Sequence, residues 1–166
     1  MLWVYFDASA LVKRYSHETG TVLVNEVFSR LPLNRMTCSV IGVLEIASIL
    51  TRKRNDGRLS EALFNAAMLE LKAEIIDHDE FVAASLNDDW LDSALPLVVK
   101  HNLNATDAVI LRSALDLQLA LQENDDDLLL WTSDKRLARA AQNEGLNVFD
   151  PETETAAHLH ELLGPS

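Results

Sequence analysis

The segment YFDASALVKRY, residues 5–15, changes character abruptly near the start of the chain. An apolar run from Leu2 to Phe6 ends directly at Asp7, and small residues then open a stretch with helical character. A short run of β-forming residues followed by a helical pattern predicts a strand–helix unit. A carboxylate at such a junction has two interpretations. It caps the helix, or it forms one corner of an acidic metal site.

The same alternation of short apolar runs and longer helical patterns continues along the chain. It predicts an α/β fold, with a mainly parallel central sheet of about five strands covered by helices on both faces. The predicted strands are Trp3–Phe6, Met36–Ser39, Ile75–Asp77, Leu128–Thr132 and Asn147–Phe149. The predicted helices are Thr19–Leu31, Val40–Arg54, Ser60–Glu74, Glu80–Trp90, Asp92–His101, Thr106–Gln122, Asp134–Asn143 and a tail helix, Glu152–Leu163.

Composition limits the class of protein. The chain has 166 residues, of which 48% are hydrophobic, and this suits one domain with a sizeable core. Cys38 is the only cysteine, so no internal disulfide forms, as is usual in a reducing cytosol. The opening MLWVYF lacks the length and basic leader of a signal peptide, and no apolar run reaches the length of a membrane span. We therefore expect a cytoplasmic protein without a membrane partner.

The charge balance is strongly acidic. Fourteen Lys and Arg residues face 26 Asp and Glu residues, which gives a net charge of −12. Proteins that coat nucleic acids neutralise phosphates with basic side chains, so this balance argues against that class. It does not exclude an enzyme that brings a phosphodiester to bound metal ions, because the ions supply local positive charge. It also suits a protein with a basic partner.

Three aspartates stand at predicted helix N-termini. Asp7 and Asp134 follow predicted strands, and Asp107 opens the helix that begins in the segment NATDAVIL. Parallel sheets bind ligands outside the carboxyl ends of their strands, so these residues are expected to converge there. Aspartate is also favoured at any helix N-terminus as a cap. For each residue alone, capping is the simpler interpretation.

Glu45 differs, because it lies in the middle of a predicted helix. In the segment SVIGVLEIASIL it shares a stripe with Ile41 and Ile49. A carboxylate within an apolar stripe is costly unless it is paired or bound to a metal. Glu45 either extends to the edge of its helix or faces the same sheet edge as the three aspartates.

A cluster of this kind suits hard divalent cations. Mg²⁺ and Mn²⁺ prefer oxygen ligands, usually take one or two carboxylates, and keep several waters. Two such ions hold an attacking water and a leaving oxygen in line, so phosphodiester hydrolysis needs no nucleophile from the protein. This chemistry does not require a 2′-hydroxyl, and it does not distinguish RNA from DNA.

Four segments in this order, YFDASALVKRY, SVIGVLEIASIL, NATDAVIL and TSDKRLARAA with the later VFD, resemble a PIN domain. The closest resemblance is to the VapC-type toxin ribonucleases of prokaryotic toxin–antitoxin pairs. It spans residues 5–150 and implies a single PIN-like domain over 1–150, with 151–166 as a tail. It also implies a three-layer α/β/α fold and a Mg²⁺- or Mn²⁺-dependent endoribonuclease.

The resemblance carries functional residues onto this chain. It places the acidic site on Asp7, Glu45, Asp107 and Asp134, and it makes Ser9 and Ser133 candidate hydroxyls beside the metals. A cognate antitoxin is implied, often one that inserts a basic side chain into the acidic pocket, and homodimers are common in the family. The segment after Asp107, AVILRSAL, has no further acid or histidine, which some relatives have. That departure leaves the number of metals open.

Basic and apolar surface residues have more than one interpretation. Lys13 and Arg14 closely follow Asp7 and are our candidates for contact with RNA. The cluster Arg52, Lys53, Arg54 and Arg58 either grips a phosphate backbone or stabilises a helix C-terminus, and we favour the second. The apolar stripe on Ser60–Glu74 is ordinary core or lines a groove for an antitoxin helix.

Two other enzyme classes and one non-enzyme class compete with this interpretation. An aspartyl-phosphate phosphatase also has an aspartate after its first strand, but it requires a second acid at the position that Ser9 occupies. A receiver domain requires paired acids near the end of the first strand, and this chain lacks them. The remaining alternative is a catalytically silent PIN-like scaffold that binds protein or RNA partners.

Overall fold

The computed structural model describes residues 1–85 and 90–164, and their elements alternate between strands and helices. The strands are β1 (Leu2–Phe6), β2 (Met36–Cys38), β3 (Asp127–Trp131) and β4 (Asn147–Phe149). The helices are α1 (Ala8–Tyr15), α2 (Thr21–Arg30), α3 (Val40–Asn55), α4 (Glu61–Leu71), α5 (Trp90–His101), α6 (Ala105–Gln122), α7 (Lys135–Asn143) and α8 (Ala156–Leu163). A 3₁₀ turn, Leu33–Arg35, precedes β2, and a π-helical turn, Lys72–Ile76, continues α4.

The four strands form one parallel sheet in the order β2-β1-β3-β4. In its centre β1 pairs with β3 along its whole length, so that Phe6 lies beside Trp131. The chain therefore leaves both strands at the same edge, and the backbone N–H of Asp7 donates to the carbonyl of Trp131 at 2.9 Å. This ladder brings Asp7 next to the segment that leads to Asp134.

Alternating strand residues divide the core between the two faces of the sheet. Val4 and Phe6 pack with α1, α2, α3, α4 and α8, whereas Tyr5 and Leu130 pack with α5, α6 and α7. This is the period-two alternation that a strand imposes on its side chains. Both faces are covered, so the predicted three-layer α/β/α fold is confirmed. No helix among the described residues is long and apolar enough to cross a membrane.

The prediction of a strand at Ile75–Asp77 was wrong. This segment belongs to the π-helical turn at the end of α4. Ile75 lies one helical turn beyond Leu71, and both side chains are buried in the same core. An apolar run this short does not separate a strand from a buried helix end, and here the packing of the helix face decided the outcome.

The edge of the sheet beside β2 is instead covered by residues 82–84. Ala84 donates its N–H to Cys38 at 2.7 Å and accepts from the N–H of Val40 at 3.0 Å, which makes a single parallel bridge. The hydroxyl of Thr37 donates to the carbonyl of Val82 at 2.5 Å. The predicted helix Glu80–Trp90 was therefore wrong over residues 80–85, and residues 86–89 lie outside the described part. The expectation of about five strands is met by four strands and this bridge.

The last helix, α8, starts later than predicted and packs on the body of the protein. A turn at Asp150, whose carbonyl accepts from the N–H groups of Thr153 and Glu154, delays the helix until Thr155 caps it. Leu159 is fully buried in the core beside α2. The division into a domain over 1–150 and a tail over 151–166 stays a prediction.

Gly20 fixes the approach between the start of α2 and the chain after β4. Its φ is +93°, and a Cβ built on it would lie 2.7 Å from the carbonyl oxygen of Pro151. Gly57 also has a positive φ, +72°, but nothing lies near its would-be Cβ. A comparison of substitutions at the two glycines therefore separates the cost of backbone strain from the cost of a steric clash.

We predict that Gly20→Ala destabilises the protein by about 2 kcal/mol or more, because strain and a clash with backbone act together. Gly57→Ala, the matched control, has only the strain and should cost about 1 kcal/mol. Urea unfolding of both variants measures the difference. Equal losses would show that the contact with Pro151 does not constrain the fold.

Candidate functional site

A cavity of about 320 Å³ opens where β1 and β3 end, between the two helical layers. All four carboxylates singled out in the sequence line it: Asp7, Glu45, Asp107 and Asp134. They come from four different parts of the chain, and the sheet topology together with the packing of α3 and α6 brings them to one cavity. Asp7 and Asp107 are nearly inaccessible, with 5% and 8% of their surface exposed.

Asp7 is the most firmly held of the four. One carboxylate oxygen, Oδ2, accepts from the Ser9 N–H at 3.2 Å, the Ser9 hydroxyl at 2.5 Å and the Thr132 hydroxyl at 3.0 Å. The Ser9 bond from the backbone caps α1, so the capping interpretation is correct. Because three donors share Oδ2, the carboxylate is fixed in one orientation and Oδ1 is the oxygen with capacity for a ligand.

Asp134 also caps its helix while it lines the cavity. Its Oδ1 accepts from the N–H groups of Arg136 at 2.8 Å and Leu137 at 3.0 Å. Its own N–H donates to the Thr132 hydroxyl at 3.1 Å. Thr132 therefore links Asp7 and Asp134 through one side chain, and capping and site geometry coincide at both aspartates.

Asp107 lies in the first turn of α6, and Asn104 is the N-cap of that helix. The Asn104 side-chain oxygen accepts from the N–H of Asp107 at 2.8 Å. Asp107 is the one carboxylate of the four with an ion pair among the described residues, to Arg136 at 3.4 Å. Arg136 therefore partly balances the charge on this wall of the cavity.

Glu45 faces the cavity from α3. The buried face of α3 carries Ile46 and Leu50, and Glu45 lies beside it at the half-exposed border. Within the described residues Glu45 forms no hydrogen bond or ion pair, although Arg52 lies close enough to stabilise its charge. The helical stripe predicted from the sequence thus turns toward the sheet edge.

The electrostatics of the cavity favour a cation. Burial, together with the negative charges of Asp7 and Asp107, raises the pKa of Glu45 from 4.5 to about 7, against the opposing effect of Arg52. Burial also raises the pKa of Asp107, and the charges of Asp134 and Asp7 add to the effect. Burial raises the pKa of Asp7 against the hydrogen bonds from Ser9 and Thr132. Carboxylates that repel one another in this way lower the cost of binding a positive ion.

The donor set fits a hard divalent cation. Its ligand atoms are carboxylate oxygens, with hydroxyl and amide oxygens nearby, and it contains no sulfur or imidazole. Within residues 1–85 and 90–164, no three Asp, Glu, His or Cys side chains are close enough to form a ready-made cage. That spacing is compatible with Mg²⁺ or Mn²⁺, since these ions take one or two carboxylates and complete their shell with waters.

The two predicted serines have different positions. Ser9 lines the cavity beside Asp7. Ser133 contributes its backbone N–H, which donates to the Ser9 hydroxyl at 2.9 Å. The Ser133 hydroxyl itself is buried, has no hydrogen-bond partner in the described structure, and is absent from the lining of the cavity. Of the pair, Ser9 is therefore the hydroxyl next to the carboxylates.

Lys13 and Arg14, the candidates for contact with RNA, both have acidic partners within the protein. Lys13 is only 2% exposed, and its ammonium group pairs with Glu152 at 2.5 Å. The Arg14 guanidinium donates two hydrogen bonds to the Glu74 carboxylate in a bidentate ion pair, at 2.6 Å and 3.1 Å. Both lie at the end of α1 farthest from Asp7, because α1 runs away from the sheet edge. Lys13 ties α1 to the turn after β4, and Arg14 ties it to the π-helical turn after α4.

Thr132 and Arg52 belong to the site, although the sequence pattern did not predict either of them there. Thr132 was assigned only to a strand, yet its hydroxyl organises two of the acids. Arg52 lines the cavity with Ser48, to which it donates at 2.8 Å. Ser48 and Arg52 lie three and seven residues after Glu45, so the helical period that placed Glu45 could also have placed them.

Comparison with known proteins gives the same architecture. A family model for the PIN domain matches residues 4–143. The search of curated proteins gave no match. PAE2754 from Pyrobaculum aerophilum is 20% identical with a TM-score of 0.58, and the alignment covers 98% of each chain.

Two further solved structures are similar. FitAB bound to an IR36 DNA fragment is 15% identical, with a TM-score of 0.65 and coverage of 93% of this chain and 99% of that one. FitAcB from Neisseria gonorrhoeae is 17% identical, with a TM-score of 0.61 and coverage of 91% and 99%. At these identities the likeness concerns the fold. The family model spans most of the sequence and every element that lines the cavity, and the chain belongs to the PIN domain family.

Proposed function

We propose that this protein is a Mg²⁺- or Mn²⁺-dependent endoribonuclease that hydrolyses RNA phosphodiester bonds in the cytoplasm, as the toxin of a type II toxin–antitoxin pair. PIN domains are generally nucleases, and the resemblance to VapC-type toxins supports the narrower activity. One observation carries the proposal. Four carboxylates from four elements line a single cavity, and that cavity contains no cysteine or histidine to act as a nucleophile.

The residues of the cavity suit distinct parts of such a reaction. Asp7 and Asp107 would hold the metal, with Asp134 and Glu45 completing the set. A bound divalent ion would supply positive charge at the phosphate and make water more acidic. Ser9 and Thr132 keep Asp7 in place, so little reorganisation is needed when substrate binds. Glu45, with a pKa of about 7, exchanges a proton near neutral pH and suits the positioning of a water.

The choice of RNA rests on the family resemblance. The carboxylate chemistry makes no use of the 2′-hydroxyl, and the similar FitAB structure is bound to a DNA fragment. Each cleavage assay must therefore present RNA and DNA of the same sequence. Preferential cleavage of RNA would support the VapC-type assignment.

The resemblance also implies a cognate antitoxin and a homodimer. Support for a protein partner comes from apolar side chains that stay exposed on α4 and its π-helical extension, namely Leu63, Leu69 and Ile76. Met68, Leu69 and Ile76 line a shallow groove. A helix with an apolar face would bury this surface. The stripe on Ser60–Glu74 is therefore partly core and partly available to a partner.

We predict that Asp107→Asn lowers metal-dependent cleavage of a mixed RNA pool by roughly 100-fold or more, because a ligand charge is lost. Asp116→Asn, on the same helix but paired with Arg112 outside the cavity, should cleave like the wild type. Initial rates in Mn²⁺, Mg²⁺ and EDTA provide the measurement. Equal cleavage by wild type and Asp107→Asn would reject the residue assignment, and an inert wild type would favour the silent scaffold.

Glu45 also predicts how stability depends on pH and metal. Its raised pKa means that the folded protein binds more protons than the unfolded chain between pH 4.5 and about 7. The stability contributed by protonated Glu45 is therefore present below pH 4.5 and is lost as the pH rises through 7. Metal binding competes with those protons, so metal should stabilise the fold more at pH 8 than at pH 5.5.

We predict that Glu45→Gln raises the Tm of the metal-free protein relative to wild type, and that this difference grows from pH 5.5 to pH 8. The same variant should show a smaller rise in Tm with Mn²⁺. Glu123→Gln, an exposed acid at the end of α6, is the control and should match the wild type. Thermal scans with and without Mn²⁺ test this. A Tm difference that does not change with pH would contradict the assigned electrostatics.

A further inference from the structure

The positive charges of this acidic protein are distributed unevenly. The chain has fourteen Lys and Arg residues, all within the described ranges. Nine of them pair with acids outside the cavity, and Arg136 pairs with Asp107 inside it. The others form no ion pair within the described residues: Arg35, Arg52, Lys135 and Arg139. Of these four, Arg52 lines the acidic cavity, and Lys135 and Arg139 lie on the helix whose N-cap, Asp134, lines it.

Helix α7 carries two of these unpaired cations, Lys135 and Arg139, together with Arg136, whose ion pair with Asp107 is long at 3.4 Å. Lys135, Arg136 and Arg139 are all exposed, while the opposite face of the helix is buried through Leu137, which leaves a cationic face. Helix α7 begins at Asp134, so this face starts at the rim of the cavity. Lys135, Arg136 and Arg139 are called the α7 cationic face below.

Helix stability does not explain these charges. The N-terminus of a helix carries partial positive charge, so cations in the first turn are unfavourable by a few tenths of a kcal/mol. Lys135 and Arg136 occupy the first two positions of α7, and the first turn contains no acid. Lys135 also lacks an ion pair in the described part of the chain. Arg136 gains its ion pair with Asp107, whereas Lys135 gains no ion pair within the described residues to offset this cost.

The other wall of the cavity carries Arg52. It lies on α3, in the layer on the opposite face of the sheet from α7. Its guanidinium donates to Ser48 at the cavity and pairs with no acid in the described structure. A polyanion that crosses the cavity from α3 to α7 would therefore meet a cation, then the carboxylate floor, then three more cations.

We propose that Arg52 and the α7 cationic face hold a single-stranded nucleic acid by its phosphates, on either side of the bond to be cut. This inference rests on the proposed nuclease function and assigns the path of its substrate. A single strand is flexible enough to bring a phosphodiester down to Asp7 and Asp107, which are almost buried. Arg136 exchanges its contact with Asp107 for a contact with a phosphate.

The nature of the surface indicates weak base recognition. Among the described residues, every Phe, Tyr and Trp is buried or half-buried, so no stacking platform flanks the cavity. Binding through phosphates is sequence-tolerant and depends strongly on salt. For single strands, the logarithm of the binding constant falls with the logarithm of salt concentration by about 0.7 per neutralised phosphate.

The test measures binding separately from cleavage. Fluorescence anisotropy with a labelled single-stranded RNA of about 20 nucleotides, and the matching DNA, is recorded in EDTA over about 50 to 200 mM KCl. The test variant is the double change K135Q/R139Q. The control is R35Q/K72Q, which removes the same charge and the same residue types. Arg35 lies at the opposite edge of the sheet against Met1, and Lys72 lies on the turn after α4.

We predict that K135Q/R139Q reduces the salt slope by about 1.4 and weakens binding at about 50 mM KCl on the order of tenfold, whereas R35Q/K72Q matches the wild type. Equal losses in both variants would overturn the path, because net charge alone would then explain binding. Unchanged binding by K135Q/R139Q would also overturn it and would point to an acidic protein as the occupant of the α7 cationic face.

Cleavage assays of the same proteins distinguish this inference from the proposed function. If the wild type binds through the α7 cationic face but does not cut, the path stands and the nuclease function fails. The opposite result is cleavage by the wild type that requires metal and Asp107, with a salt slope and KM in K135Q/R139Q equal to those of the wild type. The nuclease function would then be supported, and the proposed path of the substrate would be rejected. Support for both requires a raised KM in K135Q/R139Q with little change in kcat.

Discussion

The parallel ladder between β1 and β3 determines where the core and the candidate site lie. It aligns Phe6 with Trp131, so both strands end at the same level and their following residues lie side by side. Two helices start from those ends, and each is capped by an aspartate that also lines the cavity. The Thr132 hydroxyl, hydrogen-bonded to Asp7 Oδ2 and to the Asp134 N–H, makes the two caps one unit. Disturbing this ladder would displace both carboxylates together.

Capping and metal binding were alternatives in the sequence, but in the structure they are compatible. A capping carboxylate uses one oxygen for backbone N–H groups and retains lone pairs for other partners. The cost of the site lies elsewhere. Burial raises the pKa values of Asp7, Glu45 and Asp107, and repulsion from neighbouring acids adds to the shift at Glu45 and Asp107. This repulsion opposes folding of the metal-free protein at neutral pH. The site therefore has the imbalance expected where function, rather than stability, selects the residues.

The hydrophobic periodicity of the sequence and its capping and turn residues predicted most of the fold. Strands β1 and β3 and helices α3 and α6 appear within one or two residues of their predicted bounds, because long periodic segments and strong caps define them. The acids converged as expected, since parallel strands end at one edge. The elements of the wrong type fall between α4 and α5, where Ile75 belongs to a helix end and residues 82–84 pair with β2. Tertiary packing and a side-chain bond from Thr37, neither of which has a local signal, decided both.

Charge placement was the least predictable part of the site. Lys13 is adjacent in sequence to the acidic motif, yet a partner 139 residues away, Glu152, holds it in the interior. Arg52 belongs to a basic cluster that helix electrostatics explains, yet it alone of that cluster lines the cavity. Proximity in sequence did not identify the available charges. Only the pairing of cations with acids in three dimensions shows which are left for a ligand.

The most direct test of the central claim is an anomalous difference map from a crystal of this protein soaked in Mn²⁺. We expect a peak in the cavity, within coordination distance of Asp7 and at least one of Asp107, Asp134 and Glu45, and the loss of this peak in Asp107→Asn. A cavity without a peak at millimolar Mn²⁺, or a peak at carboxylates elsewhere, would contradict that claim.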